Sequence, residues 1–253
     1  AQAQKTKGIV VAAGGDGAIN AIAQQVLGSS CAFGILPQGT FIYFGRSHLI
    51  PGDTAEAVHA LLNAHIEPVQ VGLVNDRIFL VNASLGLYPQ LLEDREAYKQ
   101  QFGRSRLVAL VSGIVSILHQ HRQLRITLER GGKVRERRTP MLFVGNNQLQ
   151  LAQIGIPLVE ALQTGELAAI MPKPAGTLAL LGLMLRGAFG KLGEAENVIS
   201  FGFQRMRVKP AQFYPRRHVK VATDGEIIWL QPPLEFRVSP EPLYLLKPRT
   251  ASR

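Results

Sequence analysis

Three short motifs in the chain combine glycines with side chains that can bind phosphate or move a proton. The first is Gly14-Gly15-Asp16-Gly17, which follows the apolar run at 8–13. Glycines let backbone N–H groups approach a phosphate closely, and the start of a helix adds a positive dipole. The aspartate can hold Mg²⁺ or accept a proton. The motif lacks the later glycine of the dinucleotide fingerprint and the Gly-Lys-Ser/Thr of a P-loop. Taken alone, it is more often an ordinary strand-to-helix turn.

The second and third motifs add a hydroxyl, an arginine and two more carboxylates. Gly39 and Thr40 follow the apolar run at 31–36, and Arg46 comes shortly after them. The Thr40 hydroxyl could bond a phosphate, and the Arg46 guanidinium could neutralise one. Far along the chain, Asp224-Gly225-Glu226 separates two β-like runs. Asp-Gly is also the usual pair of a two-residue hairpin turn, so a purely structural role is the alternative for this third motif.

The first 68 residues alternate between strand-like and helix-like patterns. The apolar runs at 8–13 and 31–36 predict buried strands, the helical spacing at 19–27 predicts a helix, and 54–64 predicts a second one with Asp53 as its N-cap. Strands that alternate with helices indicate a parallel sheet covered by helices. Because ligands bind at the carboxyl ends of parallel strands, the first two motifs should lie at one edge of this sheet.

After Pro68 the pattern changes to ten short β-like stretches, many of them bounded by Gly, Pro, Asn or Asp. This pattern predicts an antiparallel sheet or sandwich, interrupted by helical insertions at about 93–121 and 174–192. We therefore predict a nucleotide-binding α/β domain at 1–68, a β-sandwich domain at 69–242 and a tail at 243–253 that could pack on either domain.

Charge and cysteine content limit the classes of function. Residues 1–68 carry a net charge of −1, whereas residues 69–253 hold the other 25 basic and 14 acidic residues, a net of +11. A basic region favours an anionic partner, although a solvated basic surface is an equally good explanation. The chain has no nucleic-acid recognition motif and no aromatic stacking set, so we expect no nucleic-acid partner.

A single cysteine, Cys31, excludes an intramolecular disulfide and a cysteine-based zinc site, and fits the cytoplasm.

Taken in this order, the three motifs resemble those of the diacylglycerol kinase-like lipid kinases. This superfamily includes bacterial diacylglycerol kinases, sphingosine and ceramide kinases and, more distantly, NAD kinases. Segments 68–75 and 79–86 look like the family's domain-crossing strand pair, and Gly145-Asn146-Asn147 looks like its mid-chain motif. The resemblance extends from about residue 8 to about residue 248.

The resemblance implies a fold and a set of site residues. The expected fold is an α/β N-terminal domain with a Rossmann-like parallel sheet, truncated at its start relative to the family, followed by a β-rich sandwich domain with helical insertions. ATP would bind between the domains, and the lipid site would lie in the second. The implied catalytic residues are Asp16, Asp224 and Glu226, with Asp224 also a candidate metal ligand. The implied nucleotide-binding residues are Gly14, Gly15, Gly17, Gly39, Thr40 and Arg46.

The expected activity is an ATP- and Mg²⁺-dependent transfer of phosphate to the hydroxyl of diacylglycerol or a similar lipid alcohol. It would take place at an anionic inner membrane surface, on a peripheral cytoplasmic protein that could form a homodimer. The alternatives are a soluble substrate, as in NAD kinases, or a catalytically impaired relative that only binds lipid or nucleotide. Ile42 favours impairment, because the family usually has asparagine there. Gln70 and Thr164 replace aspartates that help to hold a structural magnesium in some bacterial members.

Overall fold

The computed structural model of the protein describes residues 8–38, 42–87, 89, 92, 123–211 and 218–249. The strands in these ranges are β1 (Ile9–Gly14), β2 (Ala32–Pro37), β3 (His65–Val69), β4 (Gly72–Val74), β5 (Arg77–Phe79), β6 (Asn82–Gly86), β7 (Leu124–Arg130), β8 (Lys133–Thr139), β9 (Met141–Gly145), β10 (Leu167–Pro172), β11 (Val198–Phe203), β12 (Arg205–Pro210), β13 (Val219–Thr223), β14 (Glu226–Leu230), β15 (Leu234–Val238) and β16 (Leu243–Lys247). The helices are α1 (Asp16–Val26), α2 (Tyr43–Ser47), α3 (Thr54–Leu62), α4 (Gln148–Gln153), α5 (Val159–Gln163) and α6 (Thr177–Ala188).

The N-terminal part of the chain forms a four-stranded sheet in the order β1-β2-β16-β3. Strands β1 and β2 are parallel and in register from Ile9–Ala32 to Gly14–Pro37, so their carboxyl ends meet at one edge. Asp53 caps α3 and accepts a hydrogen bond from the Glu56 N–H at 3.0 Å, as predicted. The sheet is not purely parallel, because β16 runs parallel to β2 but antiparallel to β3. Residues Leu243–Lys247 thus contribute a strand to the first sheet.

The rest of the described chain forms two six-stranded sheets. Their orders are β11-β10-β9-β6-β13-β14 and β5-β4-β15-β12-β7-β8. The inner faces of the two sheets share one core, which includes the fully buried Phe79, Leu85, Leu142 and Phe236. An α/β first part followed by a β-rich sandwich is the predicted fold class, which is confirmed.

Some strands differ from the sequence prediction, among them the stretch expected at 78–83, which is divided between β5 and β6. The single strand expected at 69–74 is divided between β3 and β4, because the chain passes from the first sheet to the sandwich at Gln70 and Val71. Strand β8 was not predicted, since its sequence, Lys-Val-Arg-Glu-Arg-Arg-Thr, is almost entirely polar. It forms nonetheless, because it pairs along its whole length with β7.

The two predicted helical insertions have different outcomes. The insertion at 93–121 lies outside the described residues. The second contains α6, which buries Leu180 and Leu183 but leaves Leu178 85 % exposed, and the C-cap residue Phe189 is 77 % exposed. No helix in the described ranges is long and apolar enough to cross a bilayer.

Candidate active site

The first motif forms a tight turn between β1 and α1. Gly14 has φ of +155°, and a Cβ there would lie 2.8 Å from that of Ala18, so only glycine fits without a shift. Gly15 is the N-cap of α1 and has no side chain with which to cap it. The first N–H groups of a helix have no intrahelical partner and carry the positive end of its dipole. This turn is therefore able to receive an anion.

Asp16 connects this turn with the segment that follows the second motif. Its Oδ2 accepts a hydrogen bond from the Tyr43 N–H at 3.1 Å, and its Oδ1 accepts one from the Phe44 N–H at 3.4 Å. These N–H groups begin α2. Partial burial raises the pKa of the Asp16 carboxyl, and the two N–H donors partly offset this rise. Arg46, in the last turn of α2, is exposed and has no ion-pair partner among the described residues. Gly39 and Thr40 lie outside those residues.

The third motif is a two-residue hairpin turn between β13 and β14, as the Asp-Gly pair predicts. Asp224 has φ of +48° and Gly225 has φ of +87°, the left-handed values that such a turn requires. The Asp224 N–H donates to the Asn82 carbonyl at 3.0 Å, which fixes the hairpin against β6. The turn therefore has a structural role in addition to any role in the site.

The carboxylate of Asp224 is buried and accepts four hydrogen bonds. Its Oδ1 accepts from the N–H groups of Val81 (2.9 Å) and Asn82 (3.0 Å), and its Oδ2 from the Leu80 N–H (2.7 Å) and the Asn20 side-chain Nδ2 (2.6 Å). Burial raises the pKa of Asp224 to about 6, so the group is mostly ionised at pH 7. A carboxylate has about four acceptor positions.

All four of these positions on Asp224 are therefore used within the protein. A catalytic or metal-binding role of Asp224 stays a prediction, and the contacts themselves are those of a positioning residue. The residue holds α1, the segment at 80–82 and the hairpin in one arrangement.

Asn20 is a site residue that the sequence analysis missed. Its Nδ2 donates to Asp224 and to the Ile78 carbonyl at 3.1 Å, and so joins α1 to the sandwich. The available signal was its position about one helical turn after Asp16. A polar residue there, between the buried Ile19 and Ala23, is placed for contact with a neighbouring element.

Glu226 brings the third motif to the first. A Cβ added at Gly17 would collide with the Glu226 carboxylate, so this carboxylate lies directly against the start of α1. Glu226 is exposed, in contrast to Asp224 two residues before it. The tertiary structure thus places a solvent-accessible carboxylate beside the glycine turn, although the two are more than 200 residues apart.

The Asn146-Asn147 pair connects the sandwich with α2 and the segment at Gln70, beside a polar cavity of about 370 Å³. Asn147 donates from Nδ2 to the Tyr43 carbonyl (3.2 Å) and to the Ser47 hydroxyl (2.9 Å), and so holds α2 from the side of the sandwich. Both asparagines line the cavity, together with His48, Glu67 and Lys247. Burial is the main cause that lowers the pKa of His48 to about 4. Helix α2 therefore runs from Asp16 at one end to this cavity at the other.

The structural magnesium site of some family members does not fit the residues present here. Gln70 donates from Nε2 to Asn146 Oδ1 (2.7 Å) and to the Glu166 carbonyl (3.0 Å), so this position presents an amide donor to two neighbouring oxygens. The Thr164 hydroxyl donates to carbonyls of its own helix, those of Glu160 and Ala161. Neither side chain offers the carboxylate oxygen that Mg²⁺ prefers.

We therefore expect a chelator to leave the melting temperature of the ligand-free protein unchanged. A cation that binds only the folded state would add about 2.7 kcal/mol at 100 times its Kd, and its removal would lower Tm by several degrees. Thermal melts with Mg²⁺ and with excess EDTA measure this. Gln70→Asp is the matched variant, because it restores a carboxylate and should make Tm depend on Mg²⁺. A fall in Tm of the unmodified chain with EDTA would contradict the assignment.

The chain is similar in sequence to known kinases. The family model described as diacylglycerol kinase catalytic domain matches residues 1–74. A candidate lipid kinase of Staphylococcus haemolyticus is 30 % identical over 244 residues, which are 94 % of this chain and 76 % of the relative. A diacylglycerol kinase of the same organism is 37 % identical over 87 residues, 33 % of this chain and 26 % of the relative.

The fold is shared with solved structures. The crystal structure of a diacylglycerol kinase from Bacillus anthracis superposes with a TM-score of 0.70 at 18 % identity, and covers 98 % of this chain and 81 % of that one. Because this identity is low, the likeness establishes the fold, whereas the match to the staphylococcal relative along nearly the whole chain establishes the family. The chain therefore belongs to the diacylglycerol kinase-like lipid kinases of bacterial type.

Proposed function

We propose that the protein is an ATP-dependent lipid kinase that phosphorylates the hydroxyl of diacylglycerol or a similar lipid alcohol at a membrane surface. The observation that carries this proposal is the position of the Glu226 carboxylate against Gly17, at the open N-terminus of α1. A proton acceptor and an anion-binding turn side by side are the two parts that phosphate transfer to an alcohol requires.

In this proposal the glycine turn binds the phosphates of ATP. The N–H groups at the start of α1 face the negative charge, and Gly14, Gly15 and Gly17 leave room for the phosphate oxygens. Arg46, exposed on the adjacent α2, supplies a positive charge that no described acid neutralises. The polar cavity at the other end of α2 offers space for the rest of the nucleotide. Roles for Gly39 and Thr40 remain predictions.

Glu226 would act as the general base. As the lipid oxygen forms its bond to the γ-phosphorus, the hydroxyl proton passes to the Glu226 carboxylate, and the bridging oxygen leaves with ADP. The protein contributes mainly position and charge, because phosphoryl transfer requires little covalent chemistry from side chains. Asp224 supports this step indirectly, since it fixes the hairpin that carries Glu226.

Asp16 is the residue that would hold Mg²⁺. Each of its carboxylate oxygens accepts one N–H and keeps a further lone pair, which fits a hard cation that binds through one or two carboxylates and the substrate phosphates. Among the described residues, no three His, Cys, Asp or Glu side chains form a cluster that could hold a metal ion. When bound, Mg²⁺ would neutralise charge on the phosphate oxygens.

Helix α6 supports action at a membrane surface. Its exposed apolar residues Leu178 and Leu185 occupy a helix that also carries Arg186, and the exposed Phe189 follows directly. Apolar and basic residues on one exposed helix are typical of interfacial contact with an anionic bilayer. We propose that this helix helps the protein to reach a lipid substrate.

Transfer of label from γ-³²P-ATP tests the proposed function. We expect label in the lipid when diacylglycerol is offered in mixed micelles, and none in a soluble acceptor such as NAD or glycerol. The alternative, a catalytically impaired relative, has one observation in its favour: Ile42, which replaces the family's asparagine, is buried before α2. ATP binding by calorimetry without transfer to any lipid alcohol would support that alternative and contradict ours.

We expect Asp16→Asn to lower turnover at least 100-fold, which corresponds to about 2.7 kcal/mol in the barrier. The substitution keeps the shape of the side chain and one acceptor for α2, but removes the charge that would hold Mg²⁺. Steady-state assays over a range of Mg²⁺ concentrations measure it, and Asp53→Asn on α3 is a control that removes an exposed carboxylate from another helix start. Turnover close to that of the unmodified protein would exclude the role of Asp16.

A further inference from the structure

The sandwich opens at one edge into a cleft of about 520 Å³, here called the edge cleft. It lies between the edge strand β8 of one sheet and the edge strand β11 of the other. The floor of the cleft is mainly apolar and its rim is basic. The floor residues are Leu128, Met171, Ile199, Phe201 and Met206, and the rim residues are Arg130, Lys133, Arg135 and Arg137.

The rim residues point inward, towards the core side of their sheet. The β7–β8 register pairs Arg135 with Leu128 and Arg137 with Ile126, and both apolar partners are buried core residues. Directly paired residues share one face of a sheet. A single inward charge is a common protection of an edge strand against aggregation. Three alternate basic residues, from Lys133 to Arg137, exceed what that protection requires.

In the part of the chain that the structure describes, no ion pair joins a rim residue to an acid. The protein therefore does not neutralise the charges of the rim there. Arg130 lies over the Phe201 ring at 4.8 Å from its centre, and Arg137 donates to the Glu136 backbone carbonyl at 3.1 Å. These contacts orient the two guanidinium groups and leave their positive charge available.

Two acids of the same sheet, Glu129 and Glu235, form ion pairs on its outer face. Glu129 pairs with Lys209 and with Arg207 at 3.8 Å, and Glu235 pairs with Arg205 at 2.8 Å. The two faces of the sheet therefore differ: basic side chains of the outer face form ion pairs with Glu129 and Glu235, whereas the edge of the inner face combines unpaired positive charge with the half-buried apolar side chains of Ile199 and Phe201. This combination complements a molecule with an anionic head and an apolar tail.

We propose that the edge cleft binds an anionic phospholipid of the membrane surface, with an acyl chain on the apolar floor and the phosphate at the basic rim. The site is distinct from the phosphate-transfer site. The hairpin that carries Glu226 joins β13 and β14 at the opposite edge of its sheet, and α1 contacts the sandwich at β5, the opposite edge of the other. The lipid in the cleft would attach the protein to the bilayer and would not be phosphorylated.

Vesicle binding by the full chain tests the proposal without reference to catalysis. The probes are phosphatidylcholine vesicles with and without phosphatidylglycerol, in a sedimentation assay. We expect Arg135→Ala/Arg137→Ala to weaken binding to the anionic vesicles about 30-fold, since each basic residue near such a surface contributes about 1 kcal/mol. Arg205→Ala/Arg207→Ala removes the same charge from the outer face of the same sheet, and we expect it to change binding less than threefold.

A third variant distinguishes binding of a lipid in the edge cleft from electrostatic adsorption of the protein to a charged surface. Phe201→Ser keeps all rim charges but removes apolar floor, and we expect a loss of affinity for the anionic vesicles of at least fivefold. An equal loss in both arginine pairs, or affinity of Phe201→Ser equal to that of the unmodified chain, would overturn the proposal.

Hydrogen exchange on the unmodified chain gives a readout that does not depend on any variant. Anionic vesicles should protect backbone amides of β8 and β11, and neutral vesicles should not. Protection confined to α6 or to the glycine turn would place the membrane contact elsewhere and overturn the assignment to the edge cleft. Lipid kinase activity could fail in the same preparation without any effect on this result.

Discussion

Glu226→Gln should lower kcat by about 100- to 1,000-fold, because loss of a positioned general base typically costs 10²- to 10⁴-fold. Glutamine has the same size as glutamate but accepts no proton at neutral pH. The substitution should change the KM for ATP by less than about threefold, because Glu226 lies beside the glycine turn and provides no hydrogen-bond donor there. Initial rates with varied ATP and varied diacylglycerol separate the two parameters, and a loss confined to kcat identifies a group that acts in the transition state.

Two control variants show whether a loss of kcat in Glu226→Gln comes from the loss of this particular carboxylate. Glu160→Gln removes an equally exposed carboxylate from α5 and should leave kcat unchanged. Gly17→Ala leaves Glu226 in the sequence but puts a methyl group where its carboxylate lies, so it should lower kcat by displacing the base. If Glu226→Gln retained kcat, the proton would have to leave by another route and the proposed role of the hairpin in chemistry would be wrong.

Asp224→Asn should lower the free energy of unfolding by about 3 kcal/mol. The amide replaces one carboxylate oxygen with a donor, so two of the four N–H groups around Asp224 lose their acceptor in a buried place, at about 1–3 kcal/mol each. Asparagine tolerates the left-handed backbone of this turn, so the loss reports the hydrogen bonds and not backbone strain. For a chain of this size the fall in Tm should be roughly 6–12 °C.

The matched control for stability lies in the same hairpin. Glu226→Gln changes the same carboxylate to an amide at an exposed position and should alter the free energy of unfolding by less than about 0.5 kcal/mol. Urea unfolding followed by circular dichroism compares the two variants. Equal stability of Asp224→Asn and the unmodified protein would show that the carboxylate is not the centre of this hydrogen-bond network. We expect Asp224→Asn to lower stability and Glu226→Gln to lower turnover. This pair of results would identify Asp224 as a positioning residue and Glu226 as a catalytic residue.

The local sequence determined the parts of the site that depend on short-range conformation. An apolar run followed by Gly14-Gly15-Asp16-Gly17 specifies a strand, a tight turn and a helix start, because the steric requirement at Gly14 is met within a few residues. Asp-Gly at 224–225 specifies its hairpin turn for the same reason. The order of the motifs along the chain was enough to indicate the family and the two-part fold.

Only the tertiary structure decided what the side chains do, because their partners lie far away in the chain. Asp224 and Glu226 look alike in sequence, but one is enclosed by N–H groups of residues 20 and 80–82, and the other faces solvent beside Gly17. Strand β8, with its polar sequence, is a strand because β7 pairs with it, and residues 243–247 pass back into the first sheet. Hydrogen-bond pairing and burial depend on which segments meet in space, and local residue patterns carry no information about that.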